Sequence, residues 1–444
     1  MTPEALFSRQ DAGLTEAQRT RGMRLTYMAQ AVGIHLELFI SASAICPLFI
    51  IKLGGSDLQA MLPASIVGPM MLVQILVSVL VKPAQGKRFL QTCWTLSALP
   101  VGVALLASLW IGARPLTVWI VLISLFLSQL LLYAGSTFWF PLLHDVVPAR
   151  QLGRFFGNLR AIWSVAYFGL SVLAGIFLGQ DAELWKFVVV FGVVTALQLV
   201  RDPFVARIPV RSKTAMVANV WREDIAYILK RKDILIFSGY FMLLMFLAGF
   251  LTQPLVLYMK HLGFSTRDNT LIYAASVLGS ILALVLAGRI IDRIGTRRVF
   301  LGVHVVLSGL ALLIALMGSL PMAYAKPCMT VLQIVAGAAL AVAGLANTAQ
   351  IFHMAPASGK TMFMSIMVVV SMMGCALSPF LAGLILDSPW RTLSIDVGPV
   401  TFGIYQGLFL GAGLGLLLAM ILLPFIQNVR AGNRMVPNSA TRAS

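Results

Sequence analysis

Two ionisable residues, His35 and Glu37, stand two positions apart in the apolar stretch VGIHLELFI. Within a membrane, such residues usually face the protein interior or a watery cavity, because a charge at the bilayer centre costs roughly 2.5–3.5 kcal/mol. Burial favours the neutral form of a carboxyl group, so Glu37 could bind and release a proton as its surroundings dry and wet. Two residues along a helix span about 200° of rotation, so the two side chains point in different directions.

The polarity of the helix faces predicts which side chain meets the cavity. Glu37 shares its face with Gln30, Ser41 and Ala44, which makes that face the smaller and more polar one. We therefore predict that Glu37 faces the cavity and that His35 lies in a helix–helix contact, where it can tune Glu37. In the alternative interpretation, Glu37 only ties helices together through hydrogen bonds.

The composition indicates a membrane protein. Of the 444 residues, 59% are hydrophobic and 11% are charged, whereas soluble domains average about 25% charged residues. A single soluble core cannot absorb so much apolar surface. The four cysteines are widely spaced and form no CxxC or Cys/His cluster, so neither a metal site nor a disulfide framework is expected.

Twelve segments are long and apolar enough to span a bilayer as helices, which takes about 20 residues each. The predicted limits are 25–51, 58–81, 90–112, 115–140, 160–180, 185–205, 233–258, 270–291, 299–319, 326–350, 362–387 and 402–427. The sequence thus predicts an all-α polytopic fold.

The basic residues predict the orientation of these segments. With a cytoplasmic N-terminus, seven of the 33 lysines and arginines lie on the opposite side: Lys52, Arg114, Lys186, Lys260, Arg267, Lys326 and Arg391. This asymmetry follows the positive-inside rule and accounts for the basic composition without nucleic acid. We expect both termini in the cytoplasm. Short opposite-side loops without a glycosylation sequon favour a bacterial inner (plasma) membrane, and no cleavable signal peptide is evident.

The chain is predicted to consist of two similar halves. An N-terminal six-helix bundle, 1–205, is followed by a cytoplasmic loop, 206–232, and a C-terminal six-helix bundle with a cytoplasmic tail, 233–444. A Leu-Ala-Gly triplet ends at Gly175 and another at Gly383, each 27 residues after a proline, Pro148 or Pro356. This offset of 208 residues is typical of a duplicated unit, so residues 148–175 should superpose on 356–383.

One loop carries a recognisable motif. Between the eighth and ninth segments stands GRIIDRIGTRR, which contains Gly288, Asp292, Arg293, Gly295, Arg297 and Arg298. It resembles the G-x-x-x-D-R-x-G-x-R-R signature of the major facilitator superfamily, whose twelve spans and 6+6 division fit nearly the whole chain. PARQLGRFFGNLR also resembles that family's loop between helices 4 and 5. The first half departs from the pattern, because VKPAQGKRF has Lys82 where the second half has Asp292.

The resemblance implies a cytoplasmic gate. In the family, helix 8 lies beside helix 5 across the gap between the halves, and helix 5 here begins near Arg154 and Arg160. A carboxylate can face the positive N-terminus of a neighbouring helix. Asp292 is therefore expected to hold the halves together on the cytoplasmic side when the cavity opens outward, and Asp292→Asn to favour inward-open forms. Alternatively, the motif arginines only set topology and bind lipid headgroups.

The resemblance also implies a cavity lined by helices 1, 4, 7 and 10. On helix 4, Gln129, Tyr133 and Ser136 share one face. On helix 7, Pro254 can kink the helix and free a backbone carbonyl. Each candidate is about as consistent with packing between helices as with ligand contact. The candidate cavity residues are Gln30, Ser41, Gln129, Tyr133, Ser136, Trp139, Tyr240, Gln253, Asn347 and Gln350.

Together these patterns predict a secondary transporter that moves a small organic solute by alternating access and is coupled to protons. A non-transporting scaffold or lipid scramblase on the same fold would lack ordered cavity chemistry. An integral membrane enzyme would need a catalytic cluster at one membrane face, which the sequence does not present. The expected partners are the bilayer, a small-molecule substrate and a proton or other coupling ion. We expect a monomer that binds no nucleic acid and needs no cofactor.

Overall fold

The computed structural model describes residues 14–148, 151–210, 221–355, 360–397 and 400–429. Eleven helical segments within these ranges are long and apolar enough to cross a membrane, and the bent pair Glu16–Ser41 and Ile45–Lys52 makes a twelfth. This finding confirms the predicted all-α polytopic fold.

The first half contains eleven helices within the described residues. They are α1 (Glu16–Gly33), α2 (His35–Ser41), α3 (Ile45–Lys52), α4 (Asp57–Ser65), α5 (Val67–Leu80), α6 (Gly86–Leu96), α7 (Ala98–Trp110), α8 (Pro115–Ser136), α9 (Trp139–Val146), α10 (Leu152–Leu178) and α11 (Leu184–Ala206). We call the membrane-crossing segments spans 1 to 6: α1–α3, α4–α5, α6–α7, α8–α9, α10 and α11.

The second half contains eight helices and a small hairpin within the described residues. They are α12 (Trp221–Lys230), α13 (Lys232–Thr252), α14 (Leu255–His261), α15 (Thr266–Ile294), α16 (Thr296–Ala315), α17 (Met322–Met354), α18 (Lys360–Leu386), β1 (Ile395–Val397), β2 (Val400–Phe402) and α19 (Ile404–Ala419). Span 7 is α13–α14, and spans 8 to 12 are α15 to α19. The antiparallel hairpin lies in the connection before α19, where the sequence predicted a loop.

Span 1 is broken, although the sequence predicted one helix over 25–51. The helix is interrupted at Ile34 and again between Ser41 and Ile45, with a bend of 51°. At the second break, Ser43 Oγ donates to the Phe39 carbonyl at 2.7 Å and accepts from the Ile45 N–H at 3.2 Å. A serine that takes over backbone hydrogen bonds in this way ends a helix. His35 and Glu37 therefore lie on a short helix between two breaks.

The described chain divides into two compact units. Unit 1 comprises 1–219, 254–274 and 379–388, and unit 2 comprises 220–253, 275–378 and 389–444. Unit 1 thus includes α14, the start of α15 and the end of α18 from the second half. The division at 205 and 232 stays a prediction, and residues 211–220 of the predicted loop lie outside the described residues.

The sequence repeat falls on equivalent helix ends. Gly175 and Gly383 each lie three residues before the last residue of their helix, α10 and α18. The superposition of 148–175 on 356–383 stays a prediction, because Pro356 lies outside the described residues.

Candidate functional site

Glu37 is half-buried on α2 and is held by two side chains of α8. Tyr133 Oη donates to Glu37 Oε1 at 3.0 Å, and Gln129 Nε2 donates to the Glu37 carbonyl at 3.4 Å. Ser41 Oγ donates to the same carbonyl at 2.8 Å. Gln129 and Tyr133 reach one partner because they lie four residues apart on one helix face. Three candidates from spans 1 and 4 therefore contact Glu37.

A pair of indole rings lies close to this group. Trp94 of α6 and Trp139 of α9 have ring centroids 5.2 Å apart. Trp94 Nε1 donates to the Leu132 carbonyl at 3.2 Å and to Ser136 Oγ at 3.3 Å. Ser136 and Trp139 thus support the Trp94 ring in this structure.

Arg201 of α11 completes the cluster, and sequence reasoning missed it. Arg201 is not among the seven basic residues assigned to the opposite side, so the sequence places it at the cytoplasmic boundary, but the structure buries its side chain to 3% exposure inside unit 1. Its guanidinium carbon lies 3.3 Å from the centroid of the Trp94 ring and 5.5 Å from that of Trp139. Arg201 Nη2 also donates to Gln30 Oε1 at 2.7 Å. The arginine is thus held by cation–π contacts and by one amide oxygen.

A glycine makes room for this arginine. A Cβ atom on Gly33 would lie 1.9 Å from Arg201 Cδ, so a larger residue at this position could not coexist with the observed arginine conformer. Gly33 ends α1 directly before the short helix that carries Glu37. Arg201 therefore crosses span 1 next to its first break.

Arg201 and Glu37 are the two ionisable side chains of this cluster, and α8 links them: Tyr133 contacts Glu37, and Ser136 contacts the Trp94 ring on which Arg201 lies. A cation and a carboxylate in a low-dielectric interior stabilise each other, provided that hydrogen bonds satisfy their remaining polar atoms. Among the described residues, buried Arg201 Nε and Gln129 Oε1 have no hydrogen-bond partner. The cluster thus has two ionisable groups and unused hydrogen-bonding capacity, which a water molecule or a solute could satisfy.

His35 points away from Glu37 into a contact between spans 1 and 5. It is 3% exposed, its Nε2 donates to the Ala31 carbonyl at 2.7 Å, and its ring stacks on Tyr167 at 6.5 Å. Tyr167 Oη in turn donates to the Ala42 carbonyl at 2.8 Å, at the second break of span 1. The proton-coupling roles of both ionisable residues stay predictions.

The candidates of the second half lie in unit 2. Tyr240 of α13 is buried and shares a hydrogen bond of 2.9 Å with His304 Nε2 of α16. Asn347 of α17 is 7% exposed, and its Oδ1 has no hydrogen-bond partner among the described residues. Gln253 is half-buried at the end of α13. The observed contact of Tyr240 is packing between helices, not contact with a ligand.

Gln350, also of α17, is tied to the end of the chain. Its Nε2 donates to Thr296 Oγ1 at 2.8 Å and to the Gln427 carbonyl. The Thr296 N–H donates to the Val429 carbonyl at 3.1 Å. Gln350 therefore helps to hold residues 427–429 against the start of α16.

The motif residues surround a tight turn between α15 and α16. Gly295 has a φ of +85°, and a Cβ atom there would lie 2.3 Å from Asn428 Oδ1, so glycine is required twice over. Asp292, in the last turn of α15, has an exposed side chain. The other motif residues are half-buried Gly288 and Arg297 and exposed Arg293 and Arg298, while Arg154 and Arg160 are exposed on α10. The gate role of Asp292 stays a prediction.

Comparison with known proteins identifies the architecture. The family model described as Major Facilitator Superfamily matches residues 236–442. No curated protein matches the sequence significantly.

Among solved structures, a variant of the nucleoside transporter NupG aligns with a TM-score of 0.67 at 13% identity, covering 92% of this chain and 100% of the other. The D-xylose-proton symporter aligns with a TM-score of 0.66 at 14% identity, covering 92% of this chain and 98% of the other. A bacterial homologue of the human lysosomal transporter Spinster, inward-facing and unoccupied, gives 0.59 at 13% identity, with coverages of 93% and 96%. At these identities the likeness shows the fold.

Proposed function

We propose that this chain is a member of the major facilitator superfamily and a secondary active transporter that moves a small organic solute across the membrane by alternating access. The neighbours of its fold include a nucleoside transporter and a D-xylose-proton symporter, which makes nucleosides and sugars the first solutes to test. We propose that both termini lie in the cytoplasm of a bacterial cell, because the basic residues follow the positive-inside rule.

The observation that carries the proposal is the cluster that holds half-buried Glu37 and buried Arg201 inside unit 1. Ionisable residues inside a membrane are expensive and usually mark a path for solutes, ions or protons. This cluster combines residues of spans 1, 3, 4 and 6 with hydrogen-bonding atoms that are not yet satisfied. A scaffold protein has no evident need for such chemistry.

Glu37 is the proposed proton carrier. Its side chain is half-buried and accepts a hydrogen bond from the Tyr133 hydroxyl. Because the charge of a carboxyl group depends on its hydration, a change in hydration during alternating access can release or capture the proton. His35, packed on the opposite side against Tyr167, positions the short helix that carries Glu37.

Asp292 is the proposed cytoplasmic gate residue. It lies in the last turn of α15, where its carboxylate could meet the N-terminus of another helix in an outward-open state. Its exposure leaves it available for such a contact.

The test is solute accumulation in vesicles that contain the purified protein. We would offer a panel of nucleosides, sugars and drugs, with and without a pH gradient. Glu37→Gln should abolish accumulation driven by the gradient while leaving solute exchange measurable. The matched control is Glu183→Gln, which changes an exposed carboxylate of unit 1 and should accumulate solute normally.

Two results would contradict the proposal. A folded Glu37→Gln variant that still accumulates solute on a pH gradient would return Glu37 to a structural role. A wild-type protein that moves no solute of the panel but transfers lipids between leaflets would favour the scramblase alternative.

A further inference from the structure

The N-terminus of α4 is bound by the residue that follows α18. Asp387 Oδ1 accepts from the Asp57 N–H at 3.1 Å, and Asp387 Oδ2 accepts from the Leu58 N–H at 3.2 Å. The first N–H groups of a helix have no partner within the helix, and its N-terminus attracts negative charge. We call this contact, formed by Asp387 with Asp57 and Leu58, the α4–α18 clasp.

The N-terminus of α15 is bound by the end of α10 in the same manner. The Thr266 N–H donates to the Gln180 carbonyl at 3.1 Å, and the Arg267 N–H donates to the Gly179 carbonyl at 2.9 Å. The negative end of one helix here faces the positive end of another. We call this contact, formed by these four residues, the α10–α15 clasp.

The two bound helices begin alike, 209 residues apart. Gly54 and Gly263 precede the two bound helices and have φ angles of +89° and +87°. Ser56 and Ser265 then cap them: Ser56 Oγ accepts from the Gln59 N–H at 3.2 Å, and Ser265 Oγ accepts from the N–H three residues on at 3.1 Å. Each serine binds the third N–H of its helix, so the first and second are left for the clasp. The same helix start therefore occurs once in each half of the chain, and each clasp joins it to a helix end of the other half.

Glycines bring the helices of each clasp together. A Cβ atom on Gly383 would lie 2.8 Å from Leu58 Cα, and one on Gly175 would lie 3.1 Å from Leu271 Cδ2. These are the glycines of the two Leu-Ala-Gly triplets. The repeat noticed in the sequence thus marks the two places where a helix end approaches a helix start.

Both clasps lie at the same face of the membrane. Their residues stand at the ends of odd-numbered spans and at the starts of even-numbered spans, which meet at one face when each span crosses once. In the predicted orientation this is the non-cytoplasmic, outer face. All nine clasp and glycine positions belong to unit 1.

We propose that the two clasps form the outer gate of this protein: both are closed in this structure, both part when the outer face opens, and Asp387 sets the balance between the two states. Only the consequence for transport rests on the proposed function. The α4–α18 clasp contributes the larger share, because hydrogen bonds to a carboxylate are roughly twice as strong as those between neutral groups.

The gate can be tested by labelling a cysteine that the closed clasp covers. Met61 is fully buried, and its Cβ would lie 3.3 Å from a Cβ on Gly383. Met61→Cys is introduced into a variant without the four native cysteines. This protein is treated with a membrane-impermeant maleimide from the outer side, with no solute and no pH gradient, and the labelling rate of the cysteine is measured. Asp387→Asn and Asp387→Ala should raise the labelling rate by about tenfold, which corresponds to about 1.4 kcal/mol. Asp181→Asn, which changes an exposed carboxylate of the same face, should leave the rate unchanged.

A second variant opens the same clasp without changing Asp387. Gly383→Ala places a methyl group against the backbone of Leu58 and should also raise labelling of the cysteine. The control is Gly169→Ala in α10, where nothing lies within 4 Å of the added atom. Wild-type labelling rates in folded Asp387→Ala and Gly383→Ala would overturn the proposal and leave the clasps as static packing.

A third measurement uses the unaltered protein. If both clasps part in one movement, the amide hydrogens of Leu58 and Arg267 should have similar protection factors against exchange with solvent, and solute that stabilises the closed state should raise both equally. Unequal protection factors would overturn the shared gate. Faster labelling in the variants of a protein that transports nothing would uphold the gate and refute the proposed function.

Discussion

The charge cluster in unit 1 can be tested by a double-mutant cycle of Arg201→Met and Glu37→Gln. Arg201→Met removes the cation but keeps an unbranched apolar stem, and Glu37→Gln removes the carboxylate but keeps hydrogen-bonding groups. The cation–π contact of Arg201 with Trp94, at 3.3 Å, contributes about 2 kcal/mol when desolvated. The hydrogen bond to Gln30 contributes about 1.5–3 kcal/mol. Burial of the guanidinium opposes these gains by several kcal/mol.

The cycle isolates the interaction between Arg201 and Glu37. The cation–π, hydrogen-bond and burial contributions of Arg201 are lost with or without Glu37, so they cancel when the two effects of Arg201→Met are subtracted. Removing one charge leaves the other without its counter-charge, so Glu37→Gln should destabilise the Arg201→Met protein less than the wild type. We expect a coupling of about 2 kcal/mol, equivalent to about 4–8 °C in the thermal midpoint for a unit of this size. The assay is thermal unfolding of the four purified proteins in detergent at pH 7.

In the control cycle, Arg207→Met takes the place of Arg201→Met. Arg207 is an exposed residue just after the same helix. Arg207→Met and Glu37→Gln should act additively, within about 0.5 kcal/mol. Equal additivity in the Arg201 cycle would show that Arg201 and Glu37 do not influence each other, and the proposed tuning of Glu37 would fail.

Two further predictions concern close contacts. Gly33→Ala places a Cβ atom 1.9 Å from Arg201 Cδ. It should lower the free energy of unfolding by about 1–3 kcal/mol and change the near-ultraviolet circular dichroism of the tryptophans. Unaltered spectra would contradict the contact. Tyr240→Phe leaves His304 Nε2 buried without its hydrogen bond and should cost about 1–3 kcal/mol in thermal unfolding. The exposed Tyr324→Phe should cost nothing measurable, and equal effects of the two substitutions would show that the hydrogen bond is not formed.

Local patterns in the sequence were sufficient to predict the membrane spans and the helix face that carries Gln129 and Tyr133. Length and hydropathy define a membrane helix, and helical spacing places Gln129 and Tyr133 on one face. Their common partner, Glu37, could be suspected only as a charge in an apolar run. The contact itself depends on how spans 1 and 4 cross, which no local pattern encodes.

Arg201 shows where such reasoning ends. It lies five residues before the end of α11 and is followed by Asp202 and Pro203, so by sequence it looks like a charge at a membrane boundary. Its burial depends on a glycine at position 33 and an indole ring at position 94. These partners come from spans 1 and 3, more than a hundred residues away, and a single sequence does not indicate that the three positions meet.

The breaks in span 1 were hidden for a related reason. Residues 25–51 are mostly apolar, with no long polar run between them, so composition predicts one helix. The interruption depends on the Ser43 side chain, which takes over two backbone hydrogen bonds. Serine is common in intact membrane helices as well, so its presence alone does not predict a break.

The two clasps differ in how readily mutation can change them. The acceptors of the α10–α15 clasp are backbone carbonyls, which every amino acid carries, so replacing a side chain changes them only through the backbone conformation, as at Gly179 with its φ of +72°. The acceptor of the α4–α18 clasp is one carboxyl group, which a single nucleotide change can delete or restore. Position 387 is therefore the point at which natural variation can adjust the resting conformation in one step. Proteins that diverged from this chain toward a different resting state should differ there before they differ at 179 or 180.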